Sequence, residues 1–362
     1  MRPTPASPAV GILGLGVHLP PEIRTNAWWP RDAVDRWRER MALRATLPDL
    51  PPDAPAGVRA TIDAMARYAD DPFRGAVTRR VMTPPATTTD MEAAAARAAL
   101  EDAGIAATDV DVLLTQTPVP ERLMVNEACP THHALGLRRS CLAFGTEAAC
   151  NGFAVHAELA AALIAAGRAR HVLSVHSSAI TRVHGPTEPH SAWWGDGAAA
   201  VLWGPVRAGR GLLATQHNVD GTACDALVLG VPERRWWEAG EVTTHAVDRE
   251  HTRAMLLTLI ERGRAAIAAA LAASEVAPAD VRFFAPHQGT IWLGETCRVH
   301  AGLSAARTIT TFPETANMNS VNVPYVLWRG REAGWLGDDD VAVTFAGGLG
   351  ETWSSTVIRW GR

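Results

Sequence analysis

Two stretches of this chain close in the same way, and their likeness limits what it can fold into. Val201-Leu-Trp-Gly204 and Ile358-Arg-Trp-Gly361 are short apolar runs ending in Trp-Gly. Each follows a glycine turn, Trp194-Gly-Asp-Gly197 in the first case and Gly347-Gly-Leu-Gly350 in the second. Ahead of each, strand and helix signals alternate in a similar order. Such self-similarity predicts an internal duplication, with residues 206–211 as the join. Alternating strands and helices predict a layered α/β architecture. With 362 residues, 47% of them hydrophobic, the chain can bury the large core this requires.

The expected halves are 1–205 and 206–362. The first reads as a strand at 10–17, a helix at 91–103, a strand at 110–115 and helices at 126–135 and 154–166. Strands at 171–175 and 198–203 follow. Thr89-Asp-Met-Glu92 has the form of a capping box for the 91–103 helix, and Gly104 is its stop. The second half reads as strand 212–217, helix 248–273, strand 281–285, helices 289–301 and 320–333, and strands 341–345 and 355–360. Residues 27–85 interrupt this order. They contain Trp28-Trp29-Pro30, an arginine- and aspartate-rich helix at 32–43, a proline-dense run at 47–55 and a helix at 58–68. This reads as an insertion, either a solvated helical flap or a lid over a pocket.

Several function classes are set aside by simple totals. The net charge of −4 and a sequence pI of 6.4 give no overall electrostatic case for nucleic acid. Five cysteines (129, 141, 150, 224 and 297) form no CxxC pair, which fits a reduced, cytoplasmic protein. Met1-Arg-Pro-Thr-Pro5 lacks the apolar core of a signal peptide, and no run reaches the roughly 18 apolar residues of a membrane span. The glycines of Val10-Gly-Ile-Leu-Gly-Leu-Gly16 suggest a dinucleotide loop, but Pro20 and Pro21 stand where its helix would start. Cys129, His132, His133, Cys141 and His156 lack standard ligand spacing, so no metal is expected.

Chemistry centres on Glu147-Ala-Ala-Cys150-Asn-Gly152-Phe, where a loop meets the 154–166 helix. Unpaired N–H groups at a helix start favour a thiolate there, although most cysteines are inert packing. Three later stretches answer it: Ala285-Pro-His287-Gln288 after a strand end, Ala316-Asn317-Met-Asn319 before a helix, and the Gly347-Gly348 turn. Singly, each has a plain structural use as a satisfied histidine, a cap or a turn.

Taken together and in order, these segments resemble the β-ketoacyl-acyl-carrier-protein synthase III family of condensing enzymes, in the thiolase superfamily. The opening Gly14-Leu-Gly-Val-His-Leu-Pro-Pro21 is similar to that family's first strand and turn. The resemblance implies a thiolase-like duplicated fold, layered α-β-α-β-α, and a catalytic set of Cys150, His287 and Asn317. It implies an oxyanion site at the N–H groups of Cys150 and of Gly347 or Gly348. It implies phosphopantetheine thioester substrates, carried by acyl carrier protein or coenzyme A, with no bound cofactor. Met124, Arg182 and Thr290 fall at substrate-binding positions, and Met124 implies a homodimer by reaching a partner's acyl pocket. Glu121, on the same loop as Met124, reads as a solvated charge. Trp193, Trp194, Trp236 and Trp237 read as packing or as walls of an acyl site. The expected reaction is acyl transfer to Cys150 followed by decarboxylative condensation with a malonyl-type thioester, in fatty-acid or polyketide metabolism. The alternatives are acyl transfer to a hydroxyl or amine, with His287 as base, and an idle partner subunit.

Overall fold

The computed structural model describes residues 8–43 and 50–362. The Met1-Arg-Pro-Thr-Pro5 stretch and the first part of the proline-dense run, 47–49, lie outside the described residues. Two sheets carry the fold. The first has the order Val10–His18, Gly197–Pro205, Val172–Ser178, Val112–Gln116, Leu142–Thr146. The second has the order Val281–Pro286, Val341–Gly348, Thr352–Arg359, Gly211–Val219. Each half therefore supplies one sheet, with the change of sheet falling after Pro205.

Period-two alternation along the strands sends neighbouring side chains to different layers. Val112 and Leu114 face a central core, whereas Leu113 between them faces an outer one. Val201 and Trp203 point inward while Ala200 and Leu202 point outward. In the second sheet Ala342 and Ala346 join the central core, and Val341, Val343 and Phe345 the opposite outer one. Phe153, Ala157, Ala160 and Ile164 of helix Gly152–Ala165 fill the central layer beside Val323, Val326 and Leu327 of helix Asn322–Glu332. Helices Thr88–Ala103 and Arg249–Ala273 cover the outer faces. The expected five layers are all present.

The glycines of the first strand serve this packing. A Cβ on Gly16 would lie 2.0 Å from the Ala95 carbonyl oxygen, and one on Gly14 would lie 2.2 Å from that of Ala99. Only hydrogen at these positions lets helix Thr88–Ala103 lie directly on the strand.

That helix corrects one expectation. Its cap is Thr87, not Thr89: the Thr87 hydroxyl accepts from the Asp90 N–H at 3.2 Å, and the Asp90 carboxylate accepts from the Thr87 N–H at 2.9 Å. Glu92 instead points inward and is fully buried, accepting from Ser177 Oγ at 2.7 Å and from Thr131 Oγ1. Burial pushes its carboxyl up to about 7.

The insertion is not a solvated flap. Strands Glu22–Thr25 and Thr78–Val81, absent from the sequence reading, pair at its base. Helices Arg31–Leu43 and Ala56–Ala66 fall close to the expected spans. Trp29, Val34, Trp37 and Phe73 form a small core with Ala192. The Trp29 indole donates to Ser191 Oγ at 2.7 Å and the Trp37 indole to the Thr187 carbonyl at 3.1 Å. In return Trp193 donates to the Pro72 carbonyl at 3.2 Å. Aromatic rings with one polar edge suit this use, since each buries its body and satisfies its N–H. The insertion thereby grips the 187–193 segment, which borders the site described next.

Candidate active site

Cys150 sits in a single 3-10 turn, Ala149–Asn151, that runs straight into helix Gly152–Ala165. The turn is strained: Ala149 has φ +46°, in the left-handed region. It is held from both halves of the molecule. The Glu147 carboxylate accepts from the Ala149 N–H at 2.6 Å, and the Asn151 amide donates to Ser354 Oγ at 2.9 Å. The end of strand Val341–Gly348 comes so close that a Cβ on Gly348 would lie 2.9 Å from the Ala148 carbonyl oxygen.

The thiolate expectation is corrected here. Burial, with the Glu147 carboxylate second, pushes the Cys150 thiol up to about 12. A backbone hydrogen bond at its own residue opposes the shift without reversing it. These groups favour the thiol over the thiolate at rest.

His287 follows strand Val281–Pro286, and its N–H continues the ladder by donating to the Phe345 carbonyl at 2.7 Å. Burial holds the imidazole neutral, pulling it down to about 4 against a backbone hydrogen bond with Asn319. Asn317 is fixed through its backbone: its N–H donates to the Trp193 carbonyl at 2.9 Å, and its carbonyl accepts from the Gly195 N–H at 3.0 Å. The insertion, the 187–195 segment and Asn317 thus form one continuous support. On the side chain, Asn317 Oδ1 accepts from the Asn319 N–H at 2.8 Å and from Asn322 Nδ2 at 3.0 Å.

Cys150, His287, Asn317, Thr290, Gly347 and Gly348 line one cavity of about 310 Å³. Its other walls are mainly apolar, among them Leu227, Met255, Leu256 and Leu259. The Thr290 hydroxyl is buried with no partner among the described residues. Trp193 and Trp194 belong to the wall, whereas Trp236 and Trp237 pack on each other at the surface. Met65, Tyr68 and Arg74 bring the insertion into the lining, so it is a wall of the site rather than an appendage. Of these the sequence offered no sign beyond the lid alternative.

Two expected residues lie elsewhere in the single chain. Arg182 donates to Glu121 at 2.8 Å and to the Val119 carbonyl at 2.5 Å, and it is not among the cavity residues. Glu121 is accordingly no solvated charge, since it also accepts from the Thr88 N–H and hydroxyl at 2.9 and 2.8 Å. Met124 stands fully exposed with φ +66°. The residue missed outright is Asn322, fully buried between His287 and Asn317. Its lone sequence signal was its place at a helix start, five residues after Asn317. Among the described residues no group of three His, Cys, Asp or Glu side chains could hold a metal ion, and no helix is long and apolar enough to cross a membrane.

A cysteine at a helix start in one half shares one cavity with a neutral imidazole and a carboxamide from the other, an arrangement that suits a condensing enzyme. Comparison with known proteins agrees. Residues 144–221 match the family description 3-oxoacyl-[acyl-carrier-protein] synthase III, and residues 271–360 match that of its C-terminal part. The chain is 32% identical over 356 residues to the β-ketoacyl-[acyl-carrier-protein] synthase III of Geobacillus kaustophilus, covering 97% of this chain and 99% of that protein. Its fold is similar to the crystal structure of the Thermus thermophilus synthase III, with a TM-score of 0.76 at 24% identity over 97% and 99% of the two chains. It is equally similar to the priming β-ketosynthase of the R1128 polyketide pathway, with a TM-score of 0.77 at 21% identity over 99% and 98%. The chain belongs to the β-ketoacyl-[acyl-carrier-protein] synthase III family and is a condensing enzyme of that kind.

Proposed function

We propose that the protein is an acyltransferase that loads an acyl group from a phosphopantetheine thioester onto Cys150 and condenses it with a malonyl-type thioester. The observation that carries this reading is the single cavity shared by Cys150, His287, Asn317 and the Gly347-Gly348 strand end. In the first step the sulfur of Cys150 attacks the donor carbonyl. The thioester forms on Cys150, the donor's C–S bond breaks, and the thiol proton ends on the departing thiol. Backbone N–H groups of Cys150 and of Gly347 or Gly348 stabilise the oxyanion between these events.

In the second step the malonyl carboxylate leaves as CO2, and its electron pair moves into an enolate at the thioester oxygen. Neutral His287 and Asn317 each present an N–H to that oxygen. The enolate carbon then attacks the acyl carbonyl, and Cys150 leaves as thiolate to be reprotonated. Carrier protein and coenzyme A both present the same phosphopantetheine arm, whose amides have polar lining groups such as Arg74 and Thr290 to meet, while the apolar walls suit an acyl chain. Transfer to a hydroxyl or amine fits less well, because burial at His287 makes it a weak base.

Incubation with acyl and malonyl thioesters of both carriers, followed by CO2 and β-ketoacyl product, tests this reading. β-Ketoacyl product formed no faster than with a Cys150→Ala variant would falsify condensation. An acyl adduct discharged by an alcohol without malonyl thioester would favour simple transfer.

The reading includes a homodimer. Strand Leu142–Thr146 is an open sheet edge leading into the Cys150 turn, and Leu142, Leu123, Met124 and Val125 are exposed beside it. Unpaired edges carrying apolar side chains are where a second copy pairs. Met124 would then approach the partner's acyl pocket. Light scattering should give twice the chain mass, and a monomer at micromolar concentration would count against it.

A further inference from the structure

Asn322 is the first residue of helix Asn322–Glu332 and is completely buried. Its amide touches three polar groups. Oδ1 accepts from the Met318 N–H at 3.3 Å, while Nδ2 reaches Asn317 Oδ1 at 3.0 Å and His287 Nδ1 at 3.2 Å. These contacts fix which end of the amide is which. Rotating it by half a turn would set Oδ1 against the Asn317 oxygen, which the Asn319 N–H already fixes, and face NH2 to the Met318 N–H, losing both of those bonds.

A carboxamide nitrogen carries two hydrogens and cannot accept, so both acceptors are determined by it. For Asn322 Nδ2 to donate to it, His287 Nδ1 must hold a lone pair, which puts the ring proton on Nε2. Asn317 Oδ1 already receives two hydrogens, from Asn322 and from the Asn319 N–H, so its remaining hydrogen-bonding group is the donor Nδ2. A Cβ on Gly289 would lie 3.0 Å from His287 Nε2, so the missing side chain there leaves that nitrogen open.

We propose that Asn322 is a positioning residue that orients His287 and Asn317 together, so that both offer N–H to the cavity. The direct consequence is a single His287 tautomer. The consequence for catalysis, two donors at the enolate oxygen, rests on the condensation reading above. Asn322 itself never contacts substrate. One buried amide thus replaces two separate orienting groups.

The test has two independent arms. Nitrogen NMR of the 15N-histidine-labelled protein reports the His287 tautomer directly, assigned by the signal lost in His287→Gln. Wild type should show Nε2–H alone. In Asn322→Asp, a carboxylate would face Nδ1 and draw the proton there, so the expected spectrum is the opposite tautomer or the doubly protonated ring. Asn322→Leu, of similar size and without polarity, should show a mixture. In the kinetic arm, malonyl decarboxylation should fall roughly 10²-fold or more in Asn322→Asp, the scale for losing one oxyanion donor. Acylation of Cys150 in the same variant, read by intact mass, should stay within about threefold, because that step uses neither donor. A wild-type His287 protonated at Nδ1 would overturn the proposal, as would an Asn322→Leu protein with unchanged tautomer and decarboxylation. If wild type decarboxylates nothing yet shows the expected tautomer, the condensation reading fails while the orienting role stands.

Discussion

Cys150→Ala is expected to remove every covalent acyl adduct and to lower product formation by roughly 10⁴-fold or more, the scale seen when a nucleophile is deleted. The fold should survive, because the Cys150 turn is held by other groups: Glu147 on the Ala149 N–H and Asn151 on Ser354. Intact-mass spectra after exposure to acyl thioesters, beside a denaturation curve, separate chemistry from stability. A companion measurement uses pH. With the thiol raised to about 12, thiolate is scarce at neutrality. Alkylation of Cys150 by iodoacetamide should therefore rise about tenfold per pH unit well into the alkaline range. A plateau below pH 8 would mean that the helix start outweighs burial and the Glu147 charge. The position of that plateau would measure by how much.

Asn317→Asp should separate the two half-reactions. The aspartate keeps one oxygen for the Asn319 N–H and Asn322 Nδ2, so the backbone and the helix start are undisturbed. Its second oxygen, however, replaces a donor with an acceptor where the enolate charge develops. Losing one donor costs about 10²–10³ in rate, and adding a like charge in an apolar cavity costs more. Decarboxylation should thus fall by at least about 10³-fold, while Cys150 still becomes acylated. Loss of both steps together would show that Asn317 supports the cavity rather than the second reaction.

How much of this was legible beforehand depends on the range of the interactions involved. Short apolar runs within Val112–Gln116 and Gly197–Pro205 mark buried strands through local composition alone. The approximate helix spans at 32–43 and 248–273 follow from equally local composition. The cap of Thr88–Ala103 was misplaced by two residues because Glu92 looks like a capping carboxylate. Whether it caps or is buried depends on Thr131 and Ser177, far along the chain. Strand Leu142–Thr146 was missed because an edge strand lacks the two-sided apolar pattern of its neighbours.

The site divides along the same line. Residue type, order and helix-start placement were enough to select Cys150, His287 and Asn317, because each lies at the end of a recognisable element. Their meeting in one cavity, the raised thiol, the tryptophan grip of the insertion and the Asn322 bridge come from groups distant in sequence. Local pattern determined which elements form and which residues stand at their ends. Only the packing of two sheets against a shared helical layer decided distances, burial and therefore protonation, since those depend on what the rest of the chain excludes from water.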